Sequence, residues 1–487
     1  MNFSIKRSLW VITLLTLTSL SQSTFGQNSA SPYVPDEDTI IAKRLSEWQD
    51  LKFGLLMHWG TYSQWGIVES WSLCAEDEDW CKRSMDNYDD YKRAYENLKT
   101  TFNPVRFDPS KWAVAAKKAG MKYVVFTTKH HDGFCMYDTK YTDYKVTSES
   151  CPFHVNAKSN IAKEVFNAFR KEGLWAGAYF SKPDWNSDYF WWRNFATPDR
   201  HANYDLRKYP ERWNKFIEFT HNQLTELVSD YGPLDLVWLD GGWVRKMSKE
   251  EITKENSDTS LRYQRSKSQD IHMGDLKRKL RAIKPDLIVV DRAVYGPNQN
   301  YLTPENTVPE QYLPYPWESC IIAGGSWSWI PDAKYLTSRK VIHTLADVVA
   351  KGGNLLLNIA PGPDGTWDEE AYKMLEGVGA WMDANGKAIY NTRAVKPYKE
   401  GKFAWTEDKE KNRYAIYLAE ESETNLPEKL MLYEFFAKEG DIITFLGDDT
   451  PLEFISFGDG TVVKVPAQLS GFRSGTEAWV LKITPAK

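Results

Sequence analysis

Short and almost wholly apolar runs recur along the chain between residues 53 and 359. They lie at 53–58, 122–128, 174–180, 234–240, 287–291 and 353–359. Runs of this length without polar alternation are typical of strands that are buried on both faces, as in a parallel sheet. We therefore predict six buried strands in this part of the chain.

Amphipathic segments with helix boundary signals lie between these runs. Asp108-Pro109-Ser110 predicts a helix start and Gly120 its end, Ser159 predicts the cap of a second helix, and 211–230 predicts a long third one. Strands that alternate with helices indicate βαβ units and a parallel sheet. This many units in one domain favours a closed barrel.

The pattern changes after residue 391. Short alternating runs separated by Gly and Asp turns occupy 414–417, 430–435, 442–445, 461–465 and 478–483. Such spacing predicts an antiparallel β-sandwich over 392–487, following a barrel domain over 27–391. The charged stretch 244–270 shows little periodicity, and we predict that it is an inserted surface loop.

Residues 1–26 predict a secretory signal peptide. Lys6 and Arg7 precede an apolar stretch that is too short to span a bilayer, and small residues follow it. We therefore expect an exported protein, periplasmic or extracellular, without a membrane span. Export permits a disulfide between Cys74 and Cys81, although the five cysteines leave at least one thiol over. A formal charge of −5 gives no basic footprint for nucleic acid.

Polar side chains follow the predicted strands. They include His58, the run Lys129-His130-His131-Asp132-Gly133-Phe134, Tyr179, Asp240, Asp291-Arg292 and Asn358. Parallel barrels carry their active sites at the carboxyl ends of the strands. Polar groups at several strand ends therefore predict one site on one rim. The 21 tryptophans among 69 aromatic residues favour a carbohydrate ligand, although core packing explains most of them.

Two chemistries are open to this rim. Imidazoles with a carboxylate are zinc ligands, which would make a metal-dependent hydrolase. Against this, adjacent histidines such as His130 and His131 should point to different sides of a strand. Neutral imidazoles and an arginine also bind sugar hydroxyls, and we favour that interpretation, with no metal and no cofactor.

Cleavage of a glycoside needs two carboxyl groups, one on each side of the scissile bond. Asp240 is the first, at the end of a buried strand. Glu305 and Glu318, which we expect on later rim loops, are candidates for the second carboxyl group. Glu69, after the first strand, is a less favoured candidate. An apolar wall from tryptophans at 317, 327 and 329 could raise the pKa of the proton donor.

These motifs together resemble the α-L-fucosidases of glycoside hydrolase family 29. The resemblance rests on His58-Trp59-Gly60, 129–134, Leu239-Asp240-Gly241-Gly242-Trp243, Asp291-Arg292, Trp317-Glu318 and 351–358, in order between residues 40 and 395. It implies an exo-acting, retaining, metal-independent enzyme with an irregular TIM-like (β/α)8 barrel and a C-terminal β-sandwich. The expected substrate is a fucosylated oligosaccharide or glycoconjugate.

The resemblance also implies roles for individual residues. Asp240 would be the nucleophile, with Glu305 as first choice and Glu318 as second choice for the acid/base. The residues that would bind or line the fucose pocket are His58, Glu69, Trp71, His130, His131, Tyr179, Arg292 and Trp329.

Two other functions remain compatible with the sequence. An α-L-galactosidase would use the same scaffold, because an apolar wall rejects one added hydroxyl only weakly. A catalytically silent sugar-binding protein should lack one carboxylate, whereas all the candidates are present. The sequence does not predict the oligomeric state or the linkage that is cleaved.

Overall fold

The structure is a computed structural model that describes residues 33–74, 81, 83–257, 265–423, 425–470 and 477–486. The predicted signal peptide lies outside these residues, as does the segment 75–80 between Cys74 and Cys81. Both cysteines are buried, and their pairing stays a prediction. Within the described residues, no helix combines the length and the apolar character needed to cross a membrane.

Seven parallel strands form one sheet. They are β1 Phe53–Met57, β2 Tyr123–Lys129, β3 Trp175–Ser181, β4 Leu236–Asp240, β5 Ile288–Asp291, β6 Glu318–Ile322 and β7 Asn354–Asn358. Their order is β5-β4-β3-β2-β1-β7-β6. Six of these strands were predicted, while β6 was not, because its sequence Glu-Ser-Cys-Ile-Ile starts with two polar residues.

The segment 299–305 lies between the edge strands β5 and β6. Gln299 forms a β-bridge with Val290 of β5, and Leu302 and Glu305 form bridges with Trp317 and Cys320 on the other side. An irregular segment therefore joins the two edges in the place of an eighth strand. The predicted irregular TIM-like barrel is confirmed.

Ten α-helices occur in the described residues. They are α1 Thr39–Leu51, α2 Tyr88–Glu96, α3 Pro109–Lys118, α4 Ile161–Lys171, α5 Pro210–Asp230, α6 Lys249–Ser257, α7 Met273–Ile283, α8 Ser338–Ala350, α9 Glu369–Asn385 and α10 Ala467–Ser470. Short 3₁₀ helices span Thr61–Gln64, Trp71–Cys74, Asn97–Thr100, Pro152–Val155 and Gly386–Ala388.

The expected helix boundaries hold, apart from the N-cap of α4. Asp108 caps α3 as predicted and accepts from the Ser110 amide at 3.2 Å. For α4 the N-cap is Asn160 rather than Ser159, and its side chain forms no capping bond.

Helix α6 corrects the prediction of a surface loop over 244–270. Ser248 Oγ accepts from the Glu251 amide at 3.2 Å, while Glu251 Oε2 accepts from the Ser248 amide at 2.7 Å. This reciprocal capping box starts a helix that carries no apolar face. Hydrophobic periodicity alone therefore could not reveal it.

Strand residues of the barrel alternate between two layers. Leu56, Val125, Trp238, Val290, Cys320 and Leu356 belong to one buried cluster inside the barrel. The residues between them, such as Leu55, Val124 and Val237, pack in the larger cluster that includes the helices. This period of two fixes which rim residues point into the barrel.

The C-terminal part contains two antiparallel sheets. The first, in the order β12-β15-β10-β9-β8, consists of β8 Arg393–Glu400, β9 Phe403–Glu407, β10 Arg413–Leu418, β12 Ile442–Phe445 and β15 Ala478–Thr484. The second, β11-β14-β13, consists of β11 Lys429–Tyr433, β13 Phe454–Phe457 and β14 Gly460–Lys464. Residues of both sheets share one buried cluster that includes Trp405, Leu432, Val463 and Trp479. The predicted β-sandwich is confirmed.

Candidate active site

The alternation inside the barrel brings four rim residues together. Asp240 follows the inward Trp238 by two positions, and His58 follows Leu56, Arg292 follows Val290 and Asn358 follows Leu356 in the same way. Asp240 and Asn358 end their strands and project inward, and His58 and Arg292, one residue beyond their strands, contact Asn358 and Asp240 respectively. The expectation of one shared rim site is met by these residues.

The Asp240 carboxylate is held by three partners. Its Oδ2 accepts from the Tyr179 hydroxyl at 2.7 Å, and its Oδ1 accepts from Arg292 Nη1 at 2.8 Å. His131 Nε2 lies 3.9 Å from Oδ2. Burial alone would raise the pKa of Asp240, but the Arg292 cation and the two hydrogen bonds outweigh it and hold this pKa well below its usual range. Asp240 is therefore an ionised carboxylate with fixed orientation.

Arg292 links Asp240 to Glu305. Its Nη2 donates to Glu305 Oε2, while the ring of Trp238 lies 4.9 Å below the guanidinium carbon. Trp327 Nε1 donates to Glu305 Oε1 at 3.1 Å. Glu305 belongs to the segment that joins β5 to β6, and its side chain is 44% exposed against 14% for Asp240. The Arg292 guanidinium group thus bridges the two carboxyl groups, and Glu305 lies on its solvent side.

Glu318 is located elsewhere. It is the first residue of β6, four residues before Ile322 at the rim, which is about 13 Å along a strand at about 3.3 Å per residue. Its Oε2 accepts from Tyr123 at 2.6 Å and its Oε1 from Trp238 Nε1 at 3.2 Å. Burial raises the pKa of Glu318 to about 7. The expected rim-loop position is wrong for Glu318, because it lies inside the barrel below Trp238.

Two histidines present a lone pair to the site. Asn358 Oδ1 accepts from His58 Nδ1 at 3.0 Å, and the Ser181 hydroxyl donates to the Pro183 carbonyl, so it accepts from His131 Nδ1 at 2.5 Å. Each Nε2 is then unprotonated. Burial lowers the pKa of His58 to about 4 and that of His131 to about 3. These neutral imidazoles can accept hydrogen bonds from hydroxyl groups.

The expectation that His130 and His131 diverge is wrong. Strand β2 ends at Lys129, so both residues lie on the turn beyond it, with ring centroids 4.1 Å apart. Ser70 Oγ lies 2.5 Å from His130 Nδ1, and burial lowers the pKa of His130 well below its usual value. Alternation applies only within a strand, so the two rings can face the same ligand.

Among the described residues, one group could offer ligands to a metal ion. Single ligand atoms of His130, His131 and Asp240 lie within 4.8 Å of one another. However, both Asp240 oxygens already accept hydrogen bonds, and one of the donors is the Arg292 cation. A positive guanidinium on the carboxylate disfavours a second cation there. The donor set therefore suits hydroxyl groups better than a metal.

Glu69 is a second buried carboxyl group of the rim. Its Oε1 accepts from the Ser328 amide at 2.6 Å. Burial raises the pKa of Glu69 to about 8, and the nearby charge of Glu305 adds to this shift. Glu69 is therefore mostly protonated at neutral pH, and it can donate as well as accept hydrogen bonds.

Aromatic rings surround the polar groups. Trp71 lies with its ring 5.1 Å from His131, and the Tyr179 ring lies 5.0 Å from His58. Burial raises the pKa of Tyr179 well above its usual value, so its hydroxyl remains a donor. Trp329, also expected here, donates through Nε1 to Asp368 at 3.1 Å and lines a neighbouring cavity.

Sequence reasoning missed several residues that shape the site. Trp327 was considered only as an apolar wall, yet it contacts Glu305 by a hydrogen bond and His58 at 5.3 Å between ring centroids. Ser70 and Ser181 orient His130 and His131. A serine carries no sequence signal for this role, because only the folded structure brings it to the imidazole.

Comparisons with known proteins show similarity over most of the chain. A family model described as Alpha-L-fucosidase matches residues 20–387. Tissue alpha-L-fucosidase of Macaca fascicularis is 29% identical, covering 99% of this chain and 97% of that protein. Plasma alpha-L-fucosidase of Homo sapiens is 26% identical, covering 94% of this chain and 93% of that protein.

Solved structures are similar over comparable lengths. Alpha-L-fucosidase isoenzyme 1 from Paenibacillus thiaminolyticus aligns with a TM-score of 0.72 at 27% identity, covering 92% of this chain and 100% of that one. Thermotoga maritima alpha-fucosidase, in complex with fucose, aligns with a TM-score of 0.68 at 26% identity, covering 92% and 99%. The family model spans most of the sequence, and the matched residues include all seven strands of the barrel. The chain therefore belongs to the α-L-fucosidase family, glycoside hydrolase family 29.

Proposed function

We propose that the protein is an exo-acting, retaining α-L-fucosidase that releases terminal α-L-fucosyl residues from glycans. The observation that carries this proposal is the ionised Asp240 carboxylate, linked through Arg292 to Glu305. Two carboxylates that bind the same guanidinium group lie at a separation comparable to the about 5–5.5 Å that a retaining mechanism requires. The identity of the substrate sugar, α-L-fucose, is inferred from membership of the family.

In the first step, Asp240 attacks the anomeric carbon as Glu305 donates a proton to the departing oxygen. The bond to the leaving sugar breaks, and a fucosyl ester forms on Asp240. In the second step, Glu305 takes a proton from water, which attacks the anomeric carbon and releases Asp240. Inversion at each step gives net retention.

The other rim residues bind the fucosyl unit. The Nε2 atoms of His58 and His131 accept from sugar hydroxyls, and His130, Glu69, Tyr179 and Arg292 offer further polar contacts. Trp71 adds an aromatic surface, and Trp329 borders the outer side. These side chains are buried, and hydrogen bonds to neighbouring residues hold them in place. They therefore favour one orientation of the fucose ring.

Glu305 fits the acid/base role better than Glu318. Its side chain reaches both Arg292 and solvent, whereas Glu318 bonds to Tyr123 and Trp238 inside the barrel. A proton donor must reach the glycosidic oxygen, and a group about two strand layers below the rim does not.

Proton NMR of the purified protein with 4-nitrophenyl α-L-fucoside tests the function. We expect α-fucose as the first product, before mutarotation. First release of β-fucose would contradict the double displacement. Turnover of the α-L-galactoside but not of the fucoside would change the proposed substrate sugar to L-galactose and would leave the proposed mechanism unchanged.

The proposal includes export to the periplasm or the extracellular space. It is supported by the signal-like composition of residues 1–26. Mass spectrometry of the mature protein should give an N-terminus near residue 27. An intact N-terminus on protein isolated from the cytoplasm would contradict export.

A further inference from the structure

Lys182 and Asp291 form an ion pair that the proposed mechanism does not use. The Lys182 ammonium lies 2.5 Å from Asp291 Oδ1, and the two side chains are almost fully buried, at 0% and 2% exposure. Removal of two charges from water is unfavourable, and proteins with well-packed apolar side chains in their place are often no less stable. The stability of the fold alone therefore does not explain this pair.

The ion pair connects two strands that are not neighbours. Lys182 directly follows β3, Asp291 is the last residue of β5, and β4 lies between these strands in the sheet. Side chains alternate along a strand, so Asp291, next to the inward Val290, points to the outer face of the sheet. The pair therefore crosses the outer face at the end of β4, behind the inward-pointing Asp240.

The same two strands supply the hydrogen bonds to the Asp240 carboxylate. Tyr179 of β3 donates to Oδ2, and Arg292, which follows Asp291, donates to Oδ1. The Lys182 amide also donates to the Asp240 carbonyl at 2.9 Å. The separation of β3 and β5 at this rim sets the distance between the two donors, and the ion pair fixes that separation.

Resting on the proposed function, we propose that Lys182 and Asp291 are positioning residues of the fucosidase. Their ion pair holds β3 and β5 together across the end of β4, so that the Tyr179 and Arg292 donors meet the Asp240 carboxylate in one geometry. Support of this kind matters because a displacement of about 1 Å can lower a rate about a hundredfold. The pair itself lies behind Asp240 and does not contact the sugar.

The test replaces the pair by apolar side chains. In Lys182→Met/Asp291→Leu both charges are removed together, so the melting temperature should stay within about 5 °C of that of the unmodified protein. The kcat for 4-nitrophenyl α-L-fucoside should fall at least about tenfold, because Asp240 loses its fixed geometry. The inhibition constant of L-fucose should change less than about threefold, since the sugar-binding His58 is held by Asn358.

Asp235→Asn is the matched control. Asp235 immediately precedes β4 and pairs with Arg44 at the opposite end of that strand. This variant should lower the melting temperature, because it removes one counter-charge of the largely buried Arg44 side chain, but kcat should stay within about twofold. The control thus separates a loss of stability from a loss of positioning.

A further combination tests whether the pair acts through the donors to Asp240. Tyr179→Phe removes one donor, and together with Lys182→Met/Asp291→Leu it should lower kcat by less than the product of the separate losses. Independent contributions would multiply instead. If the apolar double variant does not fold, Lys182→Met takes its place, because the unpaired and buried Asp291 can take up a proton.

The outcomes separate this proposal from the proposed function. A folded variant without the pair whose kcat stays within about threefold of the unmodified value overturns the positioning role. Losses of kcat that multiply with that of Tyr179→Phe, an equal loss in Asp235→Asn, or a loss of fucose binding as large as the loss of kcat overturn it as well. Failure of the unmodified protein to cleave the aryl fucoside overturns the proposed function instead.

Discussion

Arg292 Nη1 lies 2.8 Å from Asp240 Oδ1, and this ion pair is enclosed by the barrel rim. The guanidinium keeps the carboxylate ionised against the cost of its burial. The proposed nucleophile must be ionised and held in one direction, and Arg292 favours both conditions before substrate binds.

Removal of the proposed nucleophile should abolish turnover. Asp240→Ala is expected to lower kcat at least about a thousandfold without loss of fold, because the covalent step has no substitute. Azide should restore activity and give β-fucosyl azide. Asp230→Ala, at the exposed end of α5, is the control. Retention of more than about a tenth of the activity would assign the nucleophile elsewhere.

The Tyr179 hydroxyl should stabilise and orient the charged form of Asp240. Tyr179→Phe removes a hydrogen bond to that charged form, so the carboxylate should be held less firmly. A hydrogen bond to a charged group is worth about 1.5–3 kcal/mol, which predicts about a tenfold or larger loss of kcat/KM on an aryl fucoside. Tyr141→Phe, on the surface, should keep the original kcat/KM; an unchanged kcat/KM in Tyr179→Phe would contradict the role.

The two candidate glutamates should respond differently to the leaving group. Glu305→Ala should lose nearly all activity on a fucosyl oligosaccharide but keep much of its rate on an aryl fucoside, whose leaving group needs no proton. Glu318→Gln should affect both substrates alike, because it acts on packing below Trp238. The reverse pattern would transfer the acid/base role to Glu318.

The ion pair of Lys182 and Asp291 should support the rim. Lys182 Nζ and Asp291 Oδ1 lie 2.5 Å apart, and both side chains are buried. Asp291→Asn leaves a buried charge without its counter-charge, which should lower the free energy of unfolding by about 3–5 kcal/mol in denaturant titrations. Glu453→Gln breaks the exposed pair with Lys464 and should cost less than about 1 kcal/mol. Equal effects would refute this account.

Glu69 should make stability depend on pH. Its pKa is raised from 4.5 to about 8 on burial, so the folded state binds the proton more tightly and loses stability as the pH rises through this range. Glu69→Gln should therefore reduce the fall in denaturant midpoint between about pH 5 and pH 8. Glu376→Gln, on an exposed position of α9, should not. A decline that is identical in both variants would show that Glu69 is ionised throughout.

The sequence by itself determined the barrel strands and the principal rim residues. Apolar runs with polar ends mark β1 to β5 and β7, because a strand covered on both faces must be apolar until it reaches the rim. The motifs around His58, His130, Asp240 and Arg292 are local, so each could be recognised without knowledge of the fold.

Only the tertiary structure separates the positions of Glu305 and Glu318. Both glutamates follow Arg292 at loop-like spacings, but strand register places Glu318 beneath Trp238 and the segment between β5 and β6 brings Glu305 to Arg292. The convergence of His130 with His131 and the bond from Trp329 to Asp368 likewise depend on contacts between distant segments. Sequence patterns specify which residues lie in each element, whereas the packing of elements decides which side chains meet.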